Sequence, residues 1–410
     1  MRRLFRARRD DAAITWLAVT AVFVAIVWSL SRGAFGWVLF GGILAAVLLA
    51  PVVAFGEPRR VPPWPVALLA ALPFVVAAVA PWTVVTRVAA YATVAAVALV
   101  AVAQIDAFTP VRMNRGFAVA LVVLVTATAA GVWELGKWVV DLAVGTELVP
   151  SNEVVMWRLV TAVGAGVVAA AVFDRYLRRL LREEFVPDGF DVEDAEEQID
   201  DVGGAVSRAL ADVGLTRPRQ RLIVRGAQVV LVGIGVVGVV TLNLNVVVNA
   251  SIGLAATLLP GVLERDYSVE TDVGLTLWIA AAVTIHALGT VYFYQTVWGW
   301  HNIAHTLTGT LVAAIGYTTV RALEEHTSAV AFPPKFTFLV VVLVVFSAGV
   351  FWEILEFTFD GIAARVGADD GLVLAQHGLT DTMSDLVANT VGAIIVAGAA
   401  TYYRLRSVDR

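Results

Sequence analysis

The stretch FTFLVVVLVVFSAGVFWEILEFTFD, Phe336 to Asp360, decides the fold. Its first part is unbroken apolar sequence, long enough as a helix to cross a hydrocarbon core about 30 Å thick. The apolar residues do not alternate with period 2, so a helix rather than a barrel strand satisfies the backbone groups that lipid cannot solvate. The last part changes character. Glu353, Glu356 and Asp360 fall at i, i+3 and i+7, on one helical face. Charge inside a bilayer is penalised unless it is partnered. The stretch therefore predicts a membrane helix and, at one end of it, a meeting point with other polar side chains.

Runs of the same kind recur along the 410 residues. Before the middle of the chain they lie at about 13–31, 35–55, 64–81, 83–104, 116–140 and 154–174; after it, at about 222–242, 244–262, 273–293, 302–320, 336–358 and 383–403. The run at 244–262 is short and has Asn249 and Pro260 inside it, which also suits a re-entrant or interfacial segment. The chain is 59% hydrophobic and 15% charged, with a mean hydropathy of +0.81. The expected fold is all-α: a polytopic transmembrane bundle of about twelve helices in two similar six-helix halves. The domains are residues 1–180, a polar connector at 181–221, and residues 222–410. The connector region opens with the basic stretch DRYLRRLLREE from Asp174, suited to lie on anionic lipid. It continues through the acidic residues Asp188 to Asp201.

The absence of cysteine excludes disulfides, thiolate metal sites and cysteine nucleophiles. The net charge is −5, and the basic residues sit in short loops rather than on a nucleic-acid face. Twelve spans with a cytoplasmic start place Arg59, Arg60, Arg112, Arg115, Arg175 to Arg182, Arg217 to Arg225, and Arg404 to Arg410 inside. Asp141, Glu147, Glu153, Asp360, Asp369 and Asp370 then fall outside. The expected location is the inner membrane of the cell, multi-pass, with both termini cytoplasmic and the first helix retained. The partners expected are membrane lipids and a small-molecule or lipid substrate, not nucleic acid.

The halves resemble each other most at GVWELGKWVVD, 131–141, and GVFWEILEFTFD, 349–360. Trp133-Glu134 matches Trp352-Glu353, and Asp141 matches Asp360. If the halves arose by duplication, their chemistry has diverged. The first has hardly any ionisable residue within its spans apart from Glu134 and Lys137, an i, i+3 ion pair by spacing. The second carries three polar stripes: His301 and His305; Glu353, Glu356 and Asp360; and Asp381, Asp385 and Asn389 at i, i+4 and i+8. His286 adds to them from the preceding span. Because the chain reverses at every crossing, all of these reach the same membrane face. Imidazole with carboxylate is a ligand set for zinc, manganese or iron. The metal ligands expected are His301, His305, Glu353, Glu356, Asp381 and Asp385. Glu353, Glu356 and Asp385 are the candidate catalytic groups, with His286, Asp360 and Asn389 as further polar members. Asp381 also suits a helix N-cap.

The motifs H-N-I-A-H-T-L-T-G from His301, W-E-I-L-E from Trp352 and D-T-M-S-D-L-V-A-N-T-V-G-A from Asp381, with His286 upstream, resemble the YjdF-like family of polytopic membrane proteins. The resemblance covers about residues 270–405. It implies an inner-membrane fold unit of no established activity, with the first half a degenerate copy beyond the usual length. The family pattern commonly has an acid at the place of His301 and a basic residue at that of Asn302, and this chain departs at both.

Three function classes remain open on these residues. One is a metal-dependent, membrane-embedded hydrolase or transferase acting on a lipid or lipid-linked substrate, with a glutamate as general base. Another is an ion- or proton-coupled transporter, and the third a structural polar network. The crowding of polar groups into one half favours the first and third over a path alternating between repeats. The topology has its own test: a reporter fused after Arg410 should be active on the cytoplasmic side, and activity only outside would refute twelve spans.

Overall fold

The computed structural model describes residues 9–79, 84–180, 204, 206–267, 272–326, 330–365, 376 and 378–408. The acidic stretch Asp188 to Asp201, Asp369, Asp370 and His377 lie outside the described residues. The first six helices are α1 (Arg9–Ser31), α2 (Phe35–Phe55), α3 (Trp64–Val79), α4 (Val84–Phe108), α5 (Arg115–Val144) and α6 (Asn152–Leu180). The next are α7 (Arg217–Val240), α8 (Leu244–Tyr267), α9 (Val273–Leu288), α10 (Trp300–His326), α11 (Pro334–Arg365) and α12 (Leu379–Val408). Among the described residues there is no strand, only an isolated antiparallel bridge between Arg112 and Ala331.

Among the described residues, eleven helices are long and apolar enough to cross a membrane, including Leu244–Val262. The run expected at 64–81 is described as an apolar helix over Trp64–Val79, and residues 80–83 lie outside the described residues. Local signals set the helix ends. Asn114 precedes α5, and its side chain accepts a hydrogen bond from the Phe117 backbone N–H at 2.8 Å. Gly145 closes the same helix at φ +75°, a conformation that glycine adopts without strain.

The chain divides into two compact units. The first comprises Met1–Leu148, Trp157–Pro187 and Ala329–Phe332. Small residues on α1 to α4 let these helices close on one another: Ala18, Val22 and Ala25 meet Leu44, Leu48, Ala67, Ala70 and Phe74 in one buried cluster. Gly41 makes room for the Phe74 ring, since a Cβ there would stand 2.6 Å from its Cζ.

The second unit comprises Val149–Met156, Asp188–Ser328 and Pro333–Arg410, and it holds all the histidines and carboxylates singled out as site residues. One cluster joins α7, α8 and α9 through Leu231, Ile234, Val246, Ala250 and Ala287. Another joins α10, α11 and α12 through Ala313, Val341, Val345, Ala393 and Ala397. The α10–α12 crossing is backbone against backbone. A Cβ on Gly309 would stand 2.5 Å from the Asn389 carbonyl oxygen, and one on Gly392 would run into the Thr306 carbonyl. Outward faces are apolar, as at Val229, Val236 and Val240 of α7, which suits a lipid solvent.

Gly392→Ala should therefore overpack this crossing and lower the stability of the purified protein by about 1–3 kcal/mol. Gly398→Ala is the control, for nothing lies within 4 Å of the added methyl. Thermal unfolding of both variants in one detergent checks the difference, and equal midpoints would refute the close crossing.

Candidate functional site

The site is assembled by how α9 hands the chain to α10. His286 lies in the last turn of α9. A π-helical turn follows at Gly289–Phe293, and then Tyr294–Thr296 and a bend through Gly299 at φ +79°. Such wide turns insert an extra residue and are frequent at functional sites. Here the turn folds Tyr294 back over Gly289, where any Cβ would collide with its ring. The Trp300 indole N–H donates to the Ile285 carbonyl at 2.9 Å, and the Trp300 ring stacks on Phe293 at 4.4 Å. The start of α10 is thereby held against the end of α9, and His301 and His305 come beside His286.

Hydrogen bonds orient His286 from both sides. The Asn249 side-chain N–H groups point to the Asn245 backbone oxygen at 3.0 Å and the Asn245 Oδ1 at 3.3 Å, which a carbonyl could not do. The Asn249 Oδ1 therefore faces His286 Nε2 at 3.2 Å and must accept from it. That leaves His286 Nδ1 as an acceptor, and the Tyr294 hydroxyl donates to it at 2.6 Å. The Tyr294 ring meets the edge of His301 at 4.4 Å, and His301 lies 4.6 Å from His305.

The first turns of α12 face these rings. His301 Nδ1 is 2.9 Å from Asp381 Oδ1 and 3.2 Å from Asp385 Oδ1, and His305 Nε2 is 3.5 Å from Asp385 Oδ2. Asp381 sits within the first turn of α12, which begins at Leu379, and its partner is His301. Asp385 is only 1% exposed, yet its Oδ1 forms no hydrogen bond, and its nearest imidazole on the other oxygen stands beyond normal bonding distance. Its one close contact is His301 Nδ1, 3.2 Å from Oδ1 without hydrogen-bond geometry, so this buried carboxylate is only weakly compensated. His301, His305 and Asp385 each offer one ligand atom, all within 4.8 Å of one another, so this buried group could hold a metal ion. Four donors at 2.0–2.1 Å from a zinc ion stand about 3.3 Å apart, and the contacts of His301 and His305 with Asp385, at 3.2 and 3.5 Å, are of that order.

The acids of α11 take other partners. Glu353 is 2% exposed, and its Oε2 accepts from the Thr382 hydroxyl at 2.7 Å and the Gln376 amide at 3.1 Å. Gln376 is steadied in turn by Asn152, whose amide donates to its Oε1 at 2.7 Å. The Trp352 indole donates to Glu356 Oε1 at 2.6 Å. Asp360 accepts from the Gln376 backbone N–H at 2.9 Å. Asn389 lies at the α12 crossing, its carbonyl against Gly309 and its amide near Gly349. Thr382 brings Glu353 to α12 between Asp381 and Asp385, but the group of mutually close ligand atoms takes in neither Glu353 nor Glu356. Neither Glu353, Glu356 nor Asp385 pairs with lysine or arginine among the described residues.

In the first unit, Glu134 forms the expected pair with Lys137 at 2.5 Å and also meets Arg158 at 3.0 Å, which its helix spacing did not reveal. Sequence reading also missed Tyr294, Thr382 and Gln376, and noted Asn249 only as a residue inside the run at 244–262. The signals were present for two of them: Thr382 stands between the aspartates of D-T-M-S-D, and Asn249 is a polar residue inside an apolar run.

Residues 222–406 match the family described as "Predicted membrane protein (DUF2238)", which is the YjdF-like family. Residues 1–61 match a different one, "Domain of unknown function (DUF8268)". An uncharacterised protein of Thermotoga maritima is 28% identical over 140 residues, covering 34% of this chain and 67% of its own length. No solved structure matches.

Thr382→Val removes a hydroxyl that a buried carboxylate depends on, and should destabilise the protein by about 1–3 kcal/mol. Thr380→Val, at an exposed position two residues earlier, should not. Thermal unfolding of the two variants distinguishes them, and equal midpoints would show that Glu353 does not need its α12 partner.

Proposed function

We propose that residues 222–406, the YjdF-like part of the chain, form a membrane-embedded, metal-dependent hydrolase or transferase acting on a lipid or lipid-linked substrate. The observation that carries the reading is Asp385: a nearly inaccessible carboxylate with an oxygen that lacks a hydrogen bond, facing two imidazoles at ligand spacing. A divalent cation, zinc or manganese or iron, supplies the charge that this group lacks. His301 and His305 give it nitrogen and Asp385 gives it oxygen, with Asp381 next to His301. Three protein ligands leave a coordination position open, the arrangement of catalytic rather than structural sites.

The metal would lower the pKa of a bound water and polarise an ester or phosphoryl oxygen. Glu353 is the general base. Both of its donors, Thr382 and Gln376, reach the same oxygen, Oε2, so Oε1 is left to take the proton of the attacking water. Glu356, held by Trp352, is the second acid of the pair and holds the proton that Glu353 passes on. The Tyr294–His286–Asn249 chain keeps His301 and His305 in place from the opposite side. A lipid substrate suits the position: the trio lies at one end of membrane helices, and His301, with Asp381 beside it, is its most accessible member.

Residues 1–180 are read as a degenerate copy of this unit. Asp141 and Asp360, in matching positions, both accept a backbone N–H from the loop that follows, from Leu148 at 2.8 Å and Gln376 at 2.9 Å. Glu134, in the place of Glu353, is neutralised by cations and has no acid–base role left to play. The orientation follows the arginine bias, with both termini cytoplasmic in the cell membrane.

Isothermal titration of the purified chain with zinc and manganese tests the reading. One equivalent should bind at micromolar concentration or tighter, and His305→Ala or Asp385→Asn should weaken binding at least tenfold. Glu353→Gln should keep the metal and abolish release of products from a lipid extract of the host membrane. No binding of divalent metal at micromolar concentration would overturn the proposal and leave a hydrogen-bonded network. Metal-dependent ion flux in proteoliposomes without lipid turnover would replace it with transport.

A further inference from the structure

We infer that a second site, at the opposite end of the same unit, binds the phosphate of an anionic phospholipid headgroup. A cavity of about 300 Å³ opens between the start of α7, the last turns of α8 and the start of α9. Its polar lining includes Arg217, Arg221, Arg225, Gln228, Glu264 and Asp272. The three arginines recur at every fourth residue and so share one face of α7. Asp272 begins α9 and His286 ends it, which places this cavity about 21 Å from the histidines at 1.5 Å per residue.

The arginines are not equivalent. Arg217 is held by Asp272 at 2.9 Å, and Asp272 is held in turn by the Gly274 N–H at 2.7 Å and by the Ser207 hydroxyl. Arg219, off the stripe, donates to the Gly214 carbonyl at 2.8 Å. Arg221 and Arg225 form no ion pair or hydrogen bond among the described residues, although both line the cavity. With Arg217 balanced by Asp272, the described lining sets two guanidinium groups against the carboxylate of Glu264, and the cavity attracts an anion.

Geometry and surroundings give that anion its class. Guanidinium groups four residues apart on a helix present paired N–H donors, which match phosphate oxygens better than a point charge would. Arg217 opens an apolar span that runs to Val240, so the cavity lies where a membrane helix meets the headgroup layer. Basic pockets between membrane helices at that depth are recognised sites for anionic lipid heads. Val224, Leu258, Pro260 and Val273 are the apolar side chains of the wall. They offer apolar surface to a glycerol backbone and the first methylenes of an acyl chain, which a free phosphate ion would leave unused. That contact favours the lipid over the soluble anion.

Native mass spectrometry of the full chain in detergent, with phosphatidylglycerol or phosphatidylcholine added, tests the site. Phosphatidylglycerol should be retained about tenfold more than phosphatidylcholine, and Arg221→Gln/Arg225→Gln should reduce it to the phosphatidylcholine level. Arg219→Gln should leave retention unchanged, and Glu264→Gln should raise it. Arg225→Gln alone, at an exposed position, serves if the double variant does not fold. Equal retention by wild type and the arginine variants would overturn the proposal. So would arginine-dependent binding of inorganic phosphate at micromolar concentration without preference for phosphatidylglycerol.

Discussion

A carboxylate between membrane helices has no water to fall back on, and the arrangement of the second unit follows from that constraint. Each acid of α11 has a neutral hydrogen-bond donor: Thr382 and Gln376 for Glu353, Trp352 for Glu356, a backbone N–H for Asp360. The acids of α12 have imidazoles. Trp352 donates from α11 itself, but the other partners come from other segments, so satisfying the charges also ties α11 and α10 to α12. In the first unit the same constraint is met with opposite charge, by Lys137 and Arg158 around Glu134. Cations silence a carboxylate, whereas neutral donors and imidazoles leave it able to exchange a proton or take a metal.

Precise placement of these partners depends on how near the helices approach. Between α10 and α12 the approach is limited by main-chain atoms, because Gly309 and Gly392 present no side chain. His305 lies one turn before Gly309, and Asp385 about two turns before Gly392. The small residues therefore set the reach of the histidine–aspartate contacts above them. A wider crossing would take the imidazoles out of range of Asp385, whatever their rotamers.

The membrane helices were legible because a hydrocarbon core demands long apolar runs, and composition records that demand directly. Helical spacing also brought out His301, His305, Asp381 and Asp385, since residues three or four apart share a face. It had no means of finding Tyr294, whose position follows from a departure from α-helical spacing at Gly289–Phe293. Gln376 and Arg158 were hidden for a related reason. Each meets its acid from a different segment of chain, 23 and 24 residues away, and helical periodicity carries no information about such partners.

The π-helical turn has a consequence for ancestry. One extra residue in a helix rotates everything beyond it by roughly 100° relative to what precedes it. A relative with one residue fewer between Gly289 and Phe293 would keep every apolar position of this span and still fold into the bilayer. Its tyrosine would then be carried around the helix away from His286. An insertion of this kind changes a site in a single event without touching any residue that lines it, and leaves a gap of one position as its trace. It is a route by which a purely structural bundle could acquire a polar centre while every intermediate remained a well-formed membrane protein.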